Sequence, residues 1–215
     1  MEIDHIFIFS NTNGSEADKL EEFGFTEGSS RVHPGQGTVN RKFYFDNFFL
    51  EILWVHNETE IKSDLILPTK LWERANFSNN IYSPLGLCLV NTDDTDALFR
   101  DATKYQPEYF PEGLKIDVLT NETNPSLPWT FRLPFKGDKK KTSEPTEHSN
   151  NISRLTKAEF SFLPNDTSAN FLKAFENQAN ISFVSQQAPS LILIFDEHRQ
   201  GKTKIFDDLS LMILY

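Results

Sequence analysis

One pattern recurs three times along this chain, and it constrains the fold more than any other feature. An apolar run with strand-like alternation leads into a short polar turn and then into a helix-forming stretch. Ile6-Phe7-Ile8-Phe9 is followed by Ser10-Asn11-Thr12-Asn13 and then Ser15-Glu16-Ala17-Asp18-Lys19-Leu20. Leu87-Cys88-Leu89-Val90 is followed by Asn91-Thr92-Asp93-Asp94 and Thr95-Asp96-Ala97-Leu98-Phe99. Phe160-Ser161-Phe162-Leu163 is followed by Pro164-Asn165-Asp166-Thr167 and Ser168-Ala169-Asn170-Phe171-Leu172. The turns are rich in Ser, Thr and Asp, whose side-chain oxygens accept from the free N–H groups of a helix's first turn. Gly24 stands where the first helix needs a left-handed terminator. A repeat of this kind marks a fold assembled from supersecondary units.

Further strands follow each helix. In the first unit they are expected over 25–29, 39–46 and 48–56, with Asn47 at a tight turn. In the second they fall at 114–119 and 129–135, and in the third at 181–185, 190–196 and 209–215. The reading is an α+β protein of tandem βαβββ modules, forming curved mixed sheets with helices on the outer face. The modules cover 1–56, 84–135 (the irregular one) and 152–215. A connector over 57–83 carries a short helix, Thr69-Lys70-Leu71-Trp72-Glu73-Arg74. The stretch 136–151 is polar and contains proline, so it reads as an exposed loop, and its lysines at 139–141 as a solvated charge run.

The 215 residues suffice for a sizeable core, and 20 phenylalanines make that core aromatic. A net charge of −10 opposes nucleic-acid binding and attraction to an anionic membrane. No apolar run approaches the roughly 20 residues that cross a bilayer. The opening residues lack the basic segment of a signal peptide. Cys88 is the one cysteine, which excludes an internal disulfide and suits a reducing compartment, so the expected location is the cytoplasm. The Asn-x-Thr sequons at Asn57 and Asn121 then read as chance.

Strand alternation puts Ile3, His5 and Phe7 on one face of the first strand, and Phe49, Glu51, Leu53 and Val55 on one face of the fourth. An imidazole and a carboxylate amid apolar neighbours are either paired or bound to something, because burying an unpaired charge is costly. They could form a hydrogen bond, hold a metal, or act as a base and its orienting partner. The stretch 33–41 is a second candidate. Gly35 and Gly37 permit a tight turn around Gln36, while His33, Gln36, Asn40 and Arg41 bring donors. Arg41 would suit a carboxylate or enolate through paired hydrogen bonds. Trp72, Glu73 and Arg74, with Tyr109 and Phe110, form either an aromatic lid or ordinary packing. His56 and His148 fall in polar loops and read as solvated, and His198 lies in a hairpin turn. Cys88, inside a strand, is a poor nucleophile. Phosphate loops, nucleophile elbows, Cys-His clusters and dinucleotide fingerprints are all missing from the sequence.

A tandem βαβββ unit with His in its first strand and Glu in its last resembles the vicinal oxygen chelate superfamily of glyoxalase I, extradiol dioxygenases and bleomycin-resistance proteins. Within it the chain is similar to uncharacterised glyoxalase-like proteins. The likeness runs through His33-Pro34-Gly35-Gln36-Gly37-Thr38-Val39-Asn40-Arg41, Phe49-Leu50-Glu51-Ile52-Leu53-Trp54-Val55, Leu71-Trp72-Glu73-Arg74 and Tyr109-Phe110-Pro111-Glu112-Gly113-Leu114-Lys115-Ile116-Asp117-Val118. The resemblance implies a metal site fed by the first and last strands of two modules. The first module supplies His5 and Glu51. The second departs from the pattern, with Gly86 and either Phe131 or Arg132 at the ligand positions. The third offers Glu159 and Met212, and methionine does not suit a hard cation. The set implied is His5, Glu51 and Glu159, around a divalent Zn²⁺, Mn²⁺ or Fe²⁺.

Two functions follow from that resemblance. The first is a metal-assisted lyase, isomerase or dioxygenase acting on a small oxygenated compound, with His33, Arg41 and Glu51 catalytic and Gln36, Asn40, Trp72 and Tyr109 binding substrate. The second is a non-catalytic protein that sequesters a small molecule, of bleomycin-resistance type. A third, weaker alternative is an assembly scaffold with a decayed site. Three modules leave one sheet without an internal partner, which suggests a homodimer.

Overall fold

The computed structural model describes residues 1–139, 141–165 and 169–215. Asp166, Thr167 and Ser168 of the third repeat, and the middle lysine of the 139–141 run, lie outside the described residues.

The first module is β1 (Ile3–Phe9), α1 (Glu16–Phe23), β2 (Arg31–His33), β3 (Thr38–Tyr44) and β4 (Phe49–Val55). Gly24 closes α1 at φ 112° and returns its N–H to Glu21 and Leu20, as the sequence suggested. The connector adds α2 (Glu58–Ile61) and α3 (Leu71–Ala75). The second module is β5 (Leu85–Asn91), α4 (Asp93–Asp96), β6 (Thr103–Tyr105), β7 (Ile116–Leu119) and β8 (Trp129–Lys136). In each module the opening strand runs parallel to the closing one, β1 beside β4 and β5 beside β8. Antiparallel pairing of β1 with β5 then fuses the halves into one eight-stranded sheet, in the order β2-β3-β4-β1-β5-β8-β7-β6.

The third unit is built differently. It comprises β9 (Leu155–Phe162), α5 (Ala169–Lys173), β10 (Ile181–Ser185), β11 (Ser190–Phe195), β12 (Thr203–Phe206) and β13 (Leu211–Leu214). Its order is β10-β9-β11-β13-β12, so the opening strand β9 lies between β10 and β11 and never meets the closing strand β13. The expected third βαβββ module is therefore a five-stranded sheet of its own connectivity. Alternation in a strand fixes which face each side chain takes but leaves the strand's neighbours open, and the repeat in sequence carried no more than that.

The two sheets share a core. Ile6, Ile8, Leu50 and Ile52 of the first meet Ala158, Phe160, Leu191 and Leu193 of the second in one buried cluster. Phe45 packs on Phe48 and Phe195 at ring separations of 5.0 and 4.8 Å, contacts of about 0.5–1.5 kcal/mol each beyond their area. The sheet expected to lack an internal partner thus has one, and the reason for expecting a homodimer falls away.

The opposite face of the eight-stranded sheet curves into a cup. Phe7, Phe9, Leu53, Val118 and Trp129 line it, and Ile61, Ile66 and Leu71 of the connector pack down into it. A cavity bordered by His5, Phe49 and Phe131 remains beside this packing. Among the described residues, no helix is long and apolar enough to cross a membrane.

Candidate functional site

The register of β1 against β4 creates the centre of the site. His5 lies opposite Phe49, two pairs along from Phe7 and Glu51 and so on the same face as both. The imidazole consequently stacks on the Phe49 ring at 4.3 Å and 14°. Its Nε2 faces Glu51 Oε2 at 3.8 Å, an ion-pair separation too long for a hydrogen bond. The register shifts between Ile3 and His5. Ile3 therefore turns into the core between the sheets rather than sharing the His5 face as alternation alone predicts. Asp4, at the irregularity, brings its carboxylate to His5 Nδ1 at 2.6 Å. That contact fixes the proton on Nδ1 and leaves Nε2 as the nitrogen turned to the cup.

Around this pair lies a cavity of about 200 Å³, below the roughly 300–1,000 Å³ of drug-sized pockets. Its first wall belongs to the first module and is polar, carrying Arg31, His33, Gln36, Asn40, Lys42 and Glu51. The facing wall comes from the second module with the connector and is mainly apolar, formed by Leu71, Phe110, Ile116, Trp129, Phe131 and Leu133, with Tyr109 and Arg132 beside them. Phe131 approaches His5 edge-on at 5.3 Å.

His33, Gln36, Asn40 and Glu51 of the first wall each have a defined hydrogen-bond partner. Asn40 donates to Glu51 Oε1 at 2.5 Å and accepts from the Arg31 N–H at 2.7 Å. Gln36 donates to Thr38 Oγ1 at 2.8 Å, and its carbonyl oxygen lies 3.3 Å from both the Tyr105 and Tyr109 hydroxyls. His33 Nδ1 is 2.9 Å from the same Thr38 Oγ1. The Thr38 hydroxyl is buried and needs an acceptor for its proton, and His33 Nδ1 is the acceptor at hand among the described contacts, an assignment that puts the His33 proton on Nε2. Burial, the main cause, lowers the His33 pKa and favours the neutral ring. The ring stacks on Tyr109 at 5.5 Å. Burial likewise pushes the Tyr109 and Tyr105 hydroxyls well up, so both act as donors.

His5, His33, Gln36, Asn40, Glu51 and Tyr109 thus line one cavity. Three expected residues do not. Arg41 follows Asn40 on β3 and so faces the other way, onto α1. There it bonds Glu27 at 2.6 and 2.9 Å, Asp18 at 2.5 Å and Glu21 at 2.7 Å. Its place in the cavity is taken by Arg31, which pairs with Asn40 across the β2–β3 hairpin from β2, a short strand that the sequence did not announce. Trp72 packs on the connector's core and stacks under Lys62 at 4.0 Å instead of covering the pocket. Glu159 belongs to the second sheet, where it contacts Lys157 and Ser182 at 3.1 and 3.0 Å. Its neighbours Ala158 and Phe160 point into the shared core, so the carboxylate points away from the cup.

His148 is also placed differently from the expectation. It is buried, accepts from the Thr26 N–H at 2.9 Å and donates to the Tyr44 carbonyl at 3.0 Å, clamping the 146–151 segment to the first module. Lys139 is similarly engaged, reaching the Asp4 and Asn47 carbonyls at 2.8 and 2.9 Å. Arg74 is fully buried and donates to the carbonyls of Ser83, Leu127 and Thr120, pinning the connector to the second module.

These placements decide the metal question for the expected set. With Glu159 elsewhere, His5 Nε2 and Glu51 remain, and the second module offers Gly86 and Phe131 at the matching positions. A Cβ on Gly86 would meet the Phe7 ring at 2.1 Å, so that position is closed to any ligand side chain. Asp4, His5 and Cys88 do bring one ligand atom each within 4.8 Å of one another. However, His5 Nδ1 and Lys139 engage the Asp4 carboxylate, and burial holds the Cys88 thiol well above its ordinary pKa. Among the described residues the expected His5, Glu51 and Glu159 set is therefore not assembled, and the cup itself offers two of the three protein ligands usual for a resident zinc.

A family model described as a glyoxalase-like domain matches residues 3–175, which takes in both cup-forming modules. A hypothetical protein from Staphylococcus aureus has a similar structure, with a TM-score of 0.56 and 12% identity, covering 99% of this chain and 98% of that one. A mutant of 4-hydroxymandelate synthase from Streptomyces coelicolor aligns with a TM-score of 0.51 and 11% identity, over 90% of this chain and 70% of that one. At such identities the likeness concerns the fold alone. No curated protein sequence matches this chain.

Proposed function

Since the chain belongs to the glyoxalase-like domain family of the vicinal oxygen chelate superfamily, we propose that its cavity takes a small oxygenated organic molecule and that His5 moves a proton on it. The observation that carries this reading is the imidazole held between two carboxylates, with Asp4 on Nδ1 and Nε2 turned to the cup beside Glu51. A carboxylate on the far nitrogen orients a histidine and stabilises the imidazolium that forms on proton uptake. In the proposed step Nε2 takes a proton from a carbon next to a carbonyl. The C–H electron pair becomes the new C=C bond, and charge moves to the carbonyl oxygen. His33 Nε2–H and the Gln36 amide are the neutral donors on the same wall that can meet that oxygen. Return of the proton to a different carbon gives an isomerase, and loss of a leaving group gives a lyase.

The step is measured as solvent exchange. A panel of small ketones and 2-oxo acids is incubated in D₂O with the protein, and loss of the C–H signal is followed by ¹H NMR. For a compound that binds, wild type is expected to exchange at least about 100-fold faster than His5→Gln, the lower end of general acid–base catalysis. Equal rates for a bound compound would leave the cup as a sequestering site without chemistry.

A further inference from the structure

We infer that the ligand is a small organic monoanion, with its carboxylate held by Arg31 and Lys42 and its apolar body against Phe49 and Phe131. This names the ligand class for the cavity just proposed and rests on that reading. Arg31 and Lys42 both line the cavity. Arg31 pairs with Asn40 across the hairpin, and Lys42 lies two residues further along β3. They are diagonal neighbours on one face, about 7–8 Å apart, within reach of one another's long side chains. A single carboxylate between them can meet both.

Neither cation makes a close ion pair with a carboxylate among the described residues, Glu144 sensing the Lys42 charge only from a longer distance, although the chain carries a net charge of −10. The contrast with nearby cations is direct. Arg132 also borders the cavity, but its guanidinium is taken by Asp117 at 2.8 Å and Asp96 at 2.7 Å. Arg41, next along the strand from Asn40, is taken by three acidic residues. The Arg31 guanidinium instead lies over the Tyr109 ring at 4.7 Å, which holds its plane while leaving its N–H groups unspent. The Lys42 ammonium stands 5.4 and 5.9 Å from the Tyr44 and Phe49 rings. Glu51 supplies the cavity's own negative charge and is already bonded to Asn40. The free cations thus outnumber the carboxylate on the lining of an otherwise acidic molecule, a local field that draws an anion in. Phe131 and Trp129 across the cavity favour a flat apolar body over a compact inorganic anion.

The test is calorimetric titration of the full chain with benzoate, its neutral isostere benzamide, and the cation benzylamine. Benzoate is expected to bind at least tenfold more tightly than benzamide, and benzylamine not at all. In Arg31→Gln/Lys42→Gln, both changes being at solvent-accessible side chains, benzoate should fall to the level of benzamide while benzamide is unchanged. Benzamide binding as tightly as benzoate, or benzoate affinity surviving in the double variant, would overturn the anion assignment and leave the cavity reading standing. Binding of none of the three would remove the cavity reading and this inference with it. Circular dichroism of the double variant confirms that it folds.

Discussion

Asn40 Nδ2 lies 2.5 Å from Glu51 Oε1 across neighbouring strands, and both side chains are buried. The amide thereby satisfies one oxygen of a carboxylate that the fold has removed from water. Asn40→Leu leaves that oxygen unpaired, and the expected loss is about 1–3 kcal/mol of unfolding free energy. Glu51→Leu alone also destabilises, by stranding the amide. The double variant should cost clearly less than the sum, because residues in direct contact are not additive. Urea titrations of the four proteins check this, and simple additivity would mean the contact contributes nothing.

Arg41 and Arg31 separate stability from binding. Arg41→Met breaks the contacts to Asp18, Glu21 and Glu27 on the outer face. It should lower stability by about 1 kcal/mol, less at high salt, as for other partly exposed ion pairs. Ligand affinity should be unchanged. Arg31→Gln should do the reverse. A loss of affinity in Arg41→Met would place that residue in the site after all.

His148 predicts acid sensitivity. Burial, opposed by the bond to the Tyr44 carbonyl, holds its pKa below the ordinary 6.5. Between those two values the unfolded chain binds more protons than the native one, so stability rises with pH there. It is complete above about pH 6.5 and declines as pH falls through that value. His33 acts in the same direction through its own burial. Denaturant midpoints measured from pH 7 to pH 5 should fall in wild type and fall less steeply in His148→Gln. An unchanged slope would assign the acid loss to other groups.

Much of this site was legible in the sequence, and the reasons for the exceptions are specific. His5 and Glu51 were found because an apolar strand face with one polar residue is informative by itself. Asp4 was missed because it reaches His5 only through the register shift at Ile3, and nothing local announces a bulge. Arg41 was expected in the site for its chemistry, but strand parity excludes it. Asn40 faces the cup, so the residue beside it on the strand cannot. Glu159 was proposed on the assumption that a third copy of the strand–turn–helix pattern meant a third copy of the module. The turn and helix of that copy say nothing about whether the opening strand is later flanked by β10 and β11 or by the closing strand. His148 was read as solvated from a polar neighbourhood, yet its bonds to Thr26 and Tyr44 lie more than a hundred positions away in the chain.

Gly86 lies opposite Phe7, whose ring borders the cavity. The Phe7 ring occupies the space where a Gly86 side chain would be, 2.1 Å from an added Cβ. Gly86→Ala forces Phe7 to move in a packed core, and the expected cost is about 1–3 kcal/mol. The displaced ring moves toward the cavity, so affinity for aromatic probes should fall as well. Thermal unfolding with titration of the same sample checks both effects. Stability and affinity equal to wild type would show that the ring is not confined.

The central claim is that ligand lies between the two modules, with His5 on one side and Phe131 on the other. Intermolecular nuclear Overhauser effects to the tighter binder of benzoate and benzamide test it most directly. The account predicts contacts from the probe's ring protons to His5 Hε1 and to the Phe131 ring in the same complex. Contacts confined to another groove, such as the one between Phe45 and Lys141, with none to His5, would contradict it.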